Sequence, residues 1–456
     1  MLFKRISLIL IYVLQETPEL LDLYASLQAA GEGGEGGQQG SAMSALIHSI
    51  SSSGYQLVVS APTPQPLKDQ SLVSMSGQLT GLDTDNTAAP TIALVAHYDA
   101  GGAAPSLAAG GDGNGSGVSL LLELSRLFSM SYSSTRSHPQ HNLLFLLSGG
   151  GRLNYAGTKR WLEEHLDMDT TSDLLANVDF VLCLDSLGKS PLKLHVSKPP
   201  KEGSPGDKFY KDLDQVSKNL YDDVSVELVH KKINLADDKL AWEHERFSIR
   251  RLPAFTLSSQ ANPNNQERNT LLDTRDSVDT ELLQKHARIV AEALACSIYP
   301  KLVGAGQGCS GQLFAGSLSP TAQSLSGWLD LVTSSPRHPS LVAGKQSEVV
   351  KTLTAALSRY TKDVTKVVGV PDRREPEYVL FDTQISTLNV YTVKPAVFDL
   401  LLSIVILGYL SLLYGFIVNS RLIVLYFSQF FKDKEVEMNG HSKTNGVKNG
   451  HKLHAY

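Results

Sequence analysis

The sequence predicts an α/β layer fold carrying a single membrane-spanning helix near its carboxyl end. Three observations lead there. Short apolar runs alternate with amphipathic segments as far as about Pro300, the pattern of a sheet with helices packed on it. His97 and Asp99 follow one of those runs, and a Gly-rich loop holding Asp112 comes next. Leu400 to Val418 contains no charged residue and is long enough to cross the ~30 Å hydrocarbon core of a bilayer as a helix.

Taken in order, Lys4-Arg5 and the apolar residues Ile6 to Leu14 look like the start of a signal peptide, but Gln15-Glu16 follow in place of a small-residue cleavage site. A core strand is the favoured reading, leading into a helix over Thr17 to Ala30. Ala29 to Gly40 is rich in Gly, Glu and Gln and reads as a flexible loop. Ala42 to Ser52 reads as a helix, Gln56 to Ser60 as a strand and Leu72 to Leu82 as another. Thr91 to Val95 is short, apolar and partly β-branched, as a buried strand is. The turn after it sets His97 and Asp99 at the strand's carboxyl end, where open α/β sheets place ligands.

The glycines around Asp112 let backbone approach an ion or ligand closely, and Val118 to Leu124 reads as the buried helix that follows. Leu143 to Leu147 and Phe180 to Leu184 are further buried strands, the second ending at Asp185. Trp161 to Leu166 continues an amphipathic helix on which Glu163 and Glu164 form a solvated face. Leu192 to Val196 alternates like a half-buried strand. Asp279 to Tyr299 is a helix opening with acids that suit its amino end.

Val303 to Ser319, rich in Gly and Ser, is the expected domain boundary. Beyond it Ala322 to Thr333 and Gln346 to Tyr360 read as helices, Asp372 to Pro376 as a charged turn, and Met438 to Tyr456 as disordered. The organisation is thus an amino-terminal segment with the Gly-rich loop (1–70), the α/β domain (71–300), a membrane-proximal helical region (301–396), the transmembrane helix (397–420) and a tail (421–456). No internal repeat is present.

The 456 residues carry a formal net charge of −5, spread without a dominant block, which excludes a nucleic-acid partner. Lys432, Lys434, Lys443, Lys448 and Lys452 follow the apolar stretch and favour a cytosolic tail. Leu422 to Phe431 is apolar but too short for a second span, and fits the membrane interface or an extension of the helix. Cys183 reads as buried in a strand, and the spacing of Cys296 and Cys309 leaves open whether they pair.

The order of these motifs resembles the di-zinc aminopeptidases, whose motifs run His-x-Asp, Gly-Ala-Asp-Asp-Asn-x-Ser-Gly, Glu-Glu, Asp and a final His. The resemblance implies a zinc-aminopeptidase-like mixed sheet flanked by helices. It matches His97 to the first metal ligand, Asp99 to the carboxylate that orients it, Asp112 to the bridging ligand and Asp185 to the next ligand. Glu243 to Phe247 resembles the family's Asp-His-x-x-Phe.

Two positions break the chemistry. The Glu-Glu pair, general base and ligand, falls on Gly151-Arg152; Gly has no base to offer and Arg holds its proton. The final His falls near Asn269, where no His stands. A catalytic zinc needs three protein ligands and a water, and about two per ion remain. His97, Asp112 and Asp185 are therefore expected to satisfy one another through hydrogen bonds, with neither a catalytic residue nor a bound metal nor any cofactor.

Gly157 to Leu162, Val181 to Asp185, His195 to Pro200, His230 to Asp238, Ala241 to Phe247 and Lys394 to Leu402 sharpen the resemblance to a nicastrin-like, catalytically degraded branch of that family. That branch implies a single-pass protein of the endoplasmic reticulum membrane, its bulk lumenal and its carboxyl terminus cytosolic. It implies partners as well: the nodal modulator protein, a small multi-pass membrane protein, and the translocon with its multi-pass clients, with a link to Nodal signalling. The branch carries an upstream lumenal segment and targeting signal that do not match here, so a truncated or alternative start is expected. The competing readings are a residual zinc aminopeptidase and a receptor holding peptides in the old cleft.

Overall fold

The computed structural model describes residues 16–32, 54–60, 63–82, 89–134, 138–166, 175–299, 309, 313–382, 386–394 and 396–441. The sequence readings over Lys4 to Leu14, most of the Gly-rich loop, the helix at Ala42 to Ser52 and the tail after His441 fall outside them. The chain divides into two compact units, one over Thr63–Gln384 and one drawn from Met1–Pro62 and Ile385–Tyr456.

The larger unit is built on an eight-stranded mixed sheet. Its strands are β2 (Leu72–Leu79), β3 (Thr91–His97), β4 (Asn142–Ser148), β5 (Val178–Leu184), β6 (Leu192–Val196), β7 (Val226–His230), β8 (Ala254–Ser258) and β9 (Lys362–Gly369). They lie in the order β7-β6-β8-β5-β3-β4-β2-β9. The centre is parallel, β3 running with β4 and β5, and β5 with β8. β2 joins antiparallel to both β4 and β9.

Strand alternation divides two cores. Ile92, Leu94 and Ala96 of β3, with Leu143, Phe145 and Leu147 of β4, face one cluster, while Ala93, Val95, Leu144 and Leu146 face the other. Burial on both faces explains why these strands read as continuous apolar runs. On the first face lie α2 (Gly117–Ser133), α4 (Pro205–Leu220) and α6 (Thr280–Ile298); on the second, α3 (Ala156–Leu166) and α5 (His244–Ile249). α6 starts where its acids suggest, the Asp279 carboxylate accepting the Glu281 and Leu282 N–H groups at 2.9 and 3.2 Å.

The unit does not end near residue 300. Leu325, Leu329 and Val332 of α7 (Ala322–Thr333) and Val350, Leu353 and Leu357 of α8 (Glu348–Ser358) belong to the first core, and β9 is the sheet's edge strand. The region expected to be membrane-proximal is therefore part of the α/β unit, because its apolar helix stripes close a face the strands alone leave open. Cys296 at the end of α6 pairs with Cys309 in a disulfide, which settles the open pairing, and Cys183 is free and buried.

In the smaller unit β1 (Gly54–Ser60) pairs antiparallel with β10 (Thr387–Val393), so the strand at Gln56 to Ser60 belongs to a separate two-stranded sheet. The helix predicted at Thr17 is α1 (Pro18–Glu32). Two more helices follow β10, α9 (Ala396–Val418) and α10 (Ser420–His441). α9 contains the one candidate membrane span among the described residues, Phe398–Val418. Residues 438–441, expected to be disordered, are the last turn of α10.

Candidate functional site

His97 closes β3 beside Ser148 of β4. Its Nδ1 meets Glu243 Oε2 at 3.1 Å, and Glu243 Oε1 accepts from the Ser148 and Thr158 hydroxyls, each at 2.6 Å. All four groups are buried. The carboxylate orienting His97 is thus Glu243 and not Asp99, as expected from the motif. Asp99 accepts the N–H groups of Gly151 and Arg152 at 2.7 and 2.8 Å. The reason is local: the turn after β4 presents two adjacent donors, and two charge-assisted bonds outweigh one to a ring already paired.

That turn packs directly against the imidazole. A Cβ at Gly151 would come within 2.0 Å of His97 Cδ2, so no side chain fits there. The turn is held in unusual backbone: Gly150, Asn154 and Tyr155 have φ of 73°, 56° and 55°. Asn154 is stitched down, its amide donating to Asp238 O at 3.1 Å, its Oδ1 accepting from Leu240 N at 2.9 Å and its carbonyl from Arg246. Such strain persists only where neighbours over-determine it.

Asp185 ends in a buried ion pair. Its Oδ1 lies 3.0 Å from Arg268 Nη2 and its Oδ2 accepts from Ser258 Oγ at 3.1 Å. Burial opposes ionisation, but Arg268, His97 and Arg152 outweigh it and hold the Asp185 carboxyl below its usual range. The Arg268 guanidinium also stacks 4.8 Å over the Trp242 ring and donates to Pro263 O. Arg268 comes from the short turn Gln266–Asn269.

Arg152 reaches Gly113 O at 3.4 Å, and burial together with Arg268 pushes its pKa down. Asp112 accepts from Ser116 Oγ at 2.9 Å and Gly188 N at 2.6 Å, and burial raises its pKa to about 6, with Asp273 and Asp185 adding. His97, Asp112 and Asp185 therefore do not hydrogen-bond to one another: His97 meets Glu243, Asp185 pairs with Arg268, and Asp112 accepts from Ser116 and Gly188.

The residues present do not fit a pair of zinc ions. Among the described residues no group of three or more His, Cys, Asp or Glu side chains could hold a metal. His97 Nε2 is buried without a hydrogen-bond partner, yet the cation nearest Asp185 is the fixed Arg268. The space between His97, Tyr155, Asp185, Trp242, Glu243 and Arg268 is too small for a water molecule. A cavity of about 380 Å³ does exist elsewhere, between α3 and the end of β9, lined by Lys159, Arg160, Val370 and Tyr378; no remnant ligand borders it.

Sequence reasoning missed Arg268, Asp273 and Arg337. Asp273 accepts the Asp112 and Gly113 N–H groups at 2.7 Å each. Arg337, wholly buried, donates to Tyr98 O at 2.6 Å and to Ala109 and Gly110 O, tying both loops of the old site to the segment after α7. Its only sequence signal was a charge set among apolar helices, which ordinarily means a surface.

Residues 79–294 match the sequence profile of peptidase family M28. The BOS complex subunit NCLN of Rattus norvegicus is 46% identical over 405 residues, covering 89% of this chain and 71% of that protein. Nicalin of Caenorhabditis elegans is 30% identical over 398 residues, covering 83% and 69%. Among solved structures, the gamma-secretase component nicastrin matches with a TM-score of 0.51 at 12% identity, over 72% of this chain and 69% of that one. That likeness is one of fold.

Proposed function

The chain belongs to the family of nicalin and the BOS complex subunit NCLN, and from that premise we propose that it is a non-enzymatic subunit of a membrane protein complex. The observation that carries the non-enzymatic reading is the buried Arg268–Asp185 pair, a fixed cation where hydrolysis would require a metal. The loss of a base at Gly151-Arg152 agrees with it. Neither catalytic residue nor zinc nor other cofactor belongs to this reading.

The finer proposal follows the branch. α9 spans the endoplasmic reticulum membrane, the α/β unit is lumenal and the carboxyl end cytosolic. The Cys296–Cys309 disulfide supports the lumenal side, since disulfides persist in oxidising compartments. The partners are the nodal modulator protein and a small multi-pass membrane protein, working with the translocon on multi-pass clients and touching Nodal signalling through that assembly.

The test is purification of the full chain from membranes in mild detergent, with and without residues 396–418. Zinc by elemental analysis after a mild chelator wash, aminopeptidase turnover and co-purifying proteins are read on the same sample. The proposal expects no stoichiometric zinc, no turnover, and membrane partners that depend on the span. About two zinc ions per chain with turnover would replace it by the residual aminopeptidase; partners kept without the span would move docking to the α/β unit.

A further inference from the structure

From Leu400 onward α9 carries no charged residue. At about 1.5 Å per residue its length reaches about 34 Å, which uses up a ~30 Å bilayer core. Its span has none of its residues buried within the protein. α10 begins one residue later, and helical bonding runs through Asn419: its N–H donates to Gly415 O and its C=O accepts from Ile423 N, both at 3.0 Å. The start of α10 is nevertheless as exposed and nearly as apolar as α9, with Tyr426 74%, Phe427 58%, Phe430 52% and Phe431 63% exposed.

The composition of the two helices differs in one respect. At the helical period, Ile423, Val424, Tyr426, Phe427, Phe430 and Phe431 fall on one side of α10. Arg421, Ser428, Gln429 and Lys432 fall on the other, with Leu422 and Leu425 the apolar residues among them. α9 has no such polar face. Leu422 to Phe431 would cover only about 15 Å, half of a second span. Aromatic side chains gather at the level of lipid headgroups, and Arg and Lys bury their stems there while keeping their charge in water.

We propose that α10 is a membrane-interface helix. Its aromatic face lies at the boundary of headgroups and acyl chains in the bilayer that α9 crosses, with Arg421 and Lys432 turned to the lipid phosphates. Continuity with α9 names the occupant of this face: the chain leaves the core at Asn419, where the two helices divide, and the proposal has the axis turn there so that α10 runs along that layer. The proposal rests on the reading that α9 spans a bilayer, and the test separates the two.

The full chain is reconstituted alone into phosphatidylcholine bilayers whose acyl chains carry bromine at shallow or at deep carbons, and tryptophan quenching is read. Three variants are compared, Phe430→Trp on the apolar face, Ser428→Trp on the polar face and Leu407→Trp within α9; the signal of the parent chain (Trp161, Trp242, Trp328) is subtracted. Phe430→Trp should be quenched about twofold more by shallow than by deep bromines, as expected for a face seated some 5–10 Å into the boundary. Ser428→Trp should respond far less, and Leu407→Trp most strongly to deep bromines. If Leu407→Trp is quenched and Phe430→Trp is not, α10 stands in water with a face left for a protein partner, and the proposal is overturned. Deep quenching of Phe430→Trp would overturn it too, making α10 part of the span. An unquenched Leu407→Trp would remove the span and the proposal together.

Discussion

At the scale of single residues, the candidate site is organised around a buried ion pair. Asp185 and Arg268 are both buried, so removing one leaves the other charged and unsatisfied. Arg268→Ala should cost about 3–5 kcal/mol of stability, and Arg268→Met with Asp185→Leu should recover most of it; chemical unfolding of the single and double variants reads the difference. Gly151→Glu should destabilise the fold rather than restore a ligand, since its Cβ meets the His97 ring.

A second residue-scale expectation concerns pH. His286 is buried, bonded to Leu187 O at 2.8 Å, and burial lowers its pKa to about 4. The folded chain keeps it neutral while the unfolded chain takes up a proton below about 6.5. Its contribution is thus fully present above about 6.5 and is lost as the pH falls toward 4, by roughly 3 kcal/mol. Unfolding curves across that window should show a shallower loss in His286→Gln, and an unchanged slope would refute this account.

At the scale of elements, the Cys296–Cys309 bridge closes a separation of 13 residues between the end of α6 and the chain that leads to α7. Cys296→Ser should lower stability by about 2–3 kcal/mol, and non-reducing peptide mapping should find the linked pair in the parent chain. Sequence reading found most elements here, because β3, β4 and β5 are buried on both faces and read as apolar runs. It placed the strand at Gln56 in no particular sheet, since pairing with β10 joins residues more than three hundred positions apart in the register Gly54↔Val393. No local period carries that information.

At the scale of the whole molecule, the boundary of the α/β unit decides what folds alone. A fragment covering Thr63 to Gln384 should be soluble and cooperative, while one ending at residue 300 should aggregate. The shorter piece loses Leu325, Leu329, Val350, Leu353 and Leu357 from the core, the edge strand β9 and the Arg337 tie to both site loops. Circular dichroism and size-exclusion chromatography of the two fragments would check this, and a monomeric, folded shorter fragment would refute the boundary.

The sequence by itself determined the fold class and the apolar span, because each is written in local composition: burial in strand runs and length without charge. Tertiary structure alone decided which partners His97 and Asp185 take. Glu243 reaches His97 across 146 residues and Arg268 reaches Asp185 across 83, while Arg337 arrives from beyond the family's segment. Charge compensation in a buried site acts through space at a few ångströms, so the partners were legible only once the sheet order brought their loops to one edge.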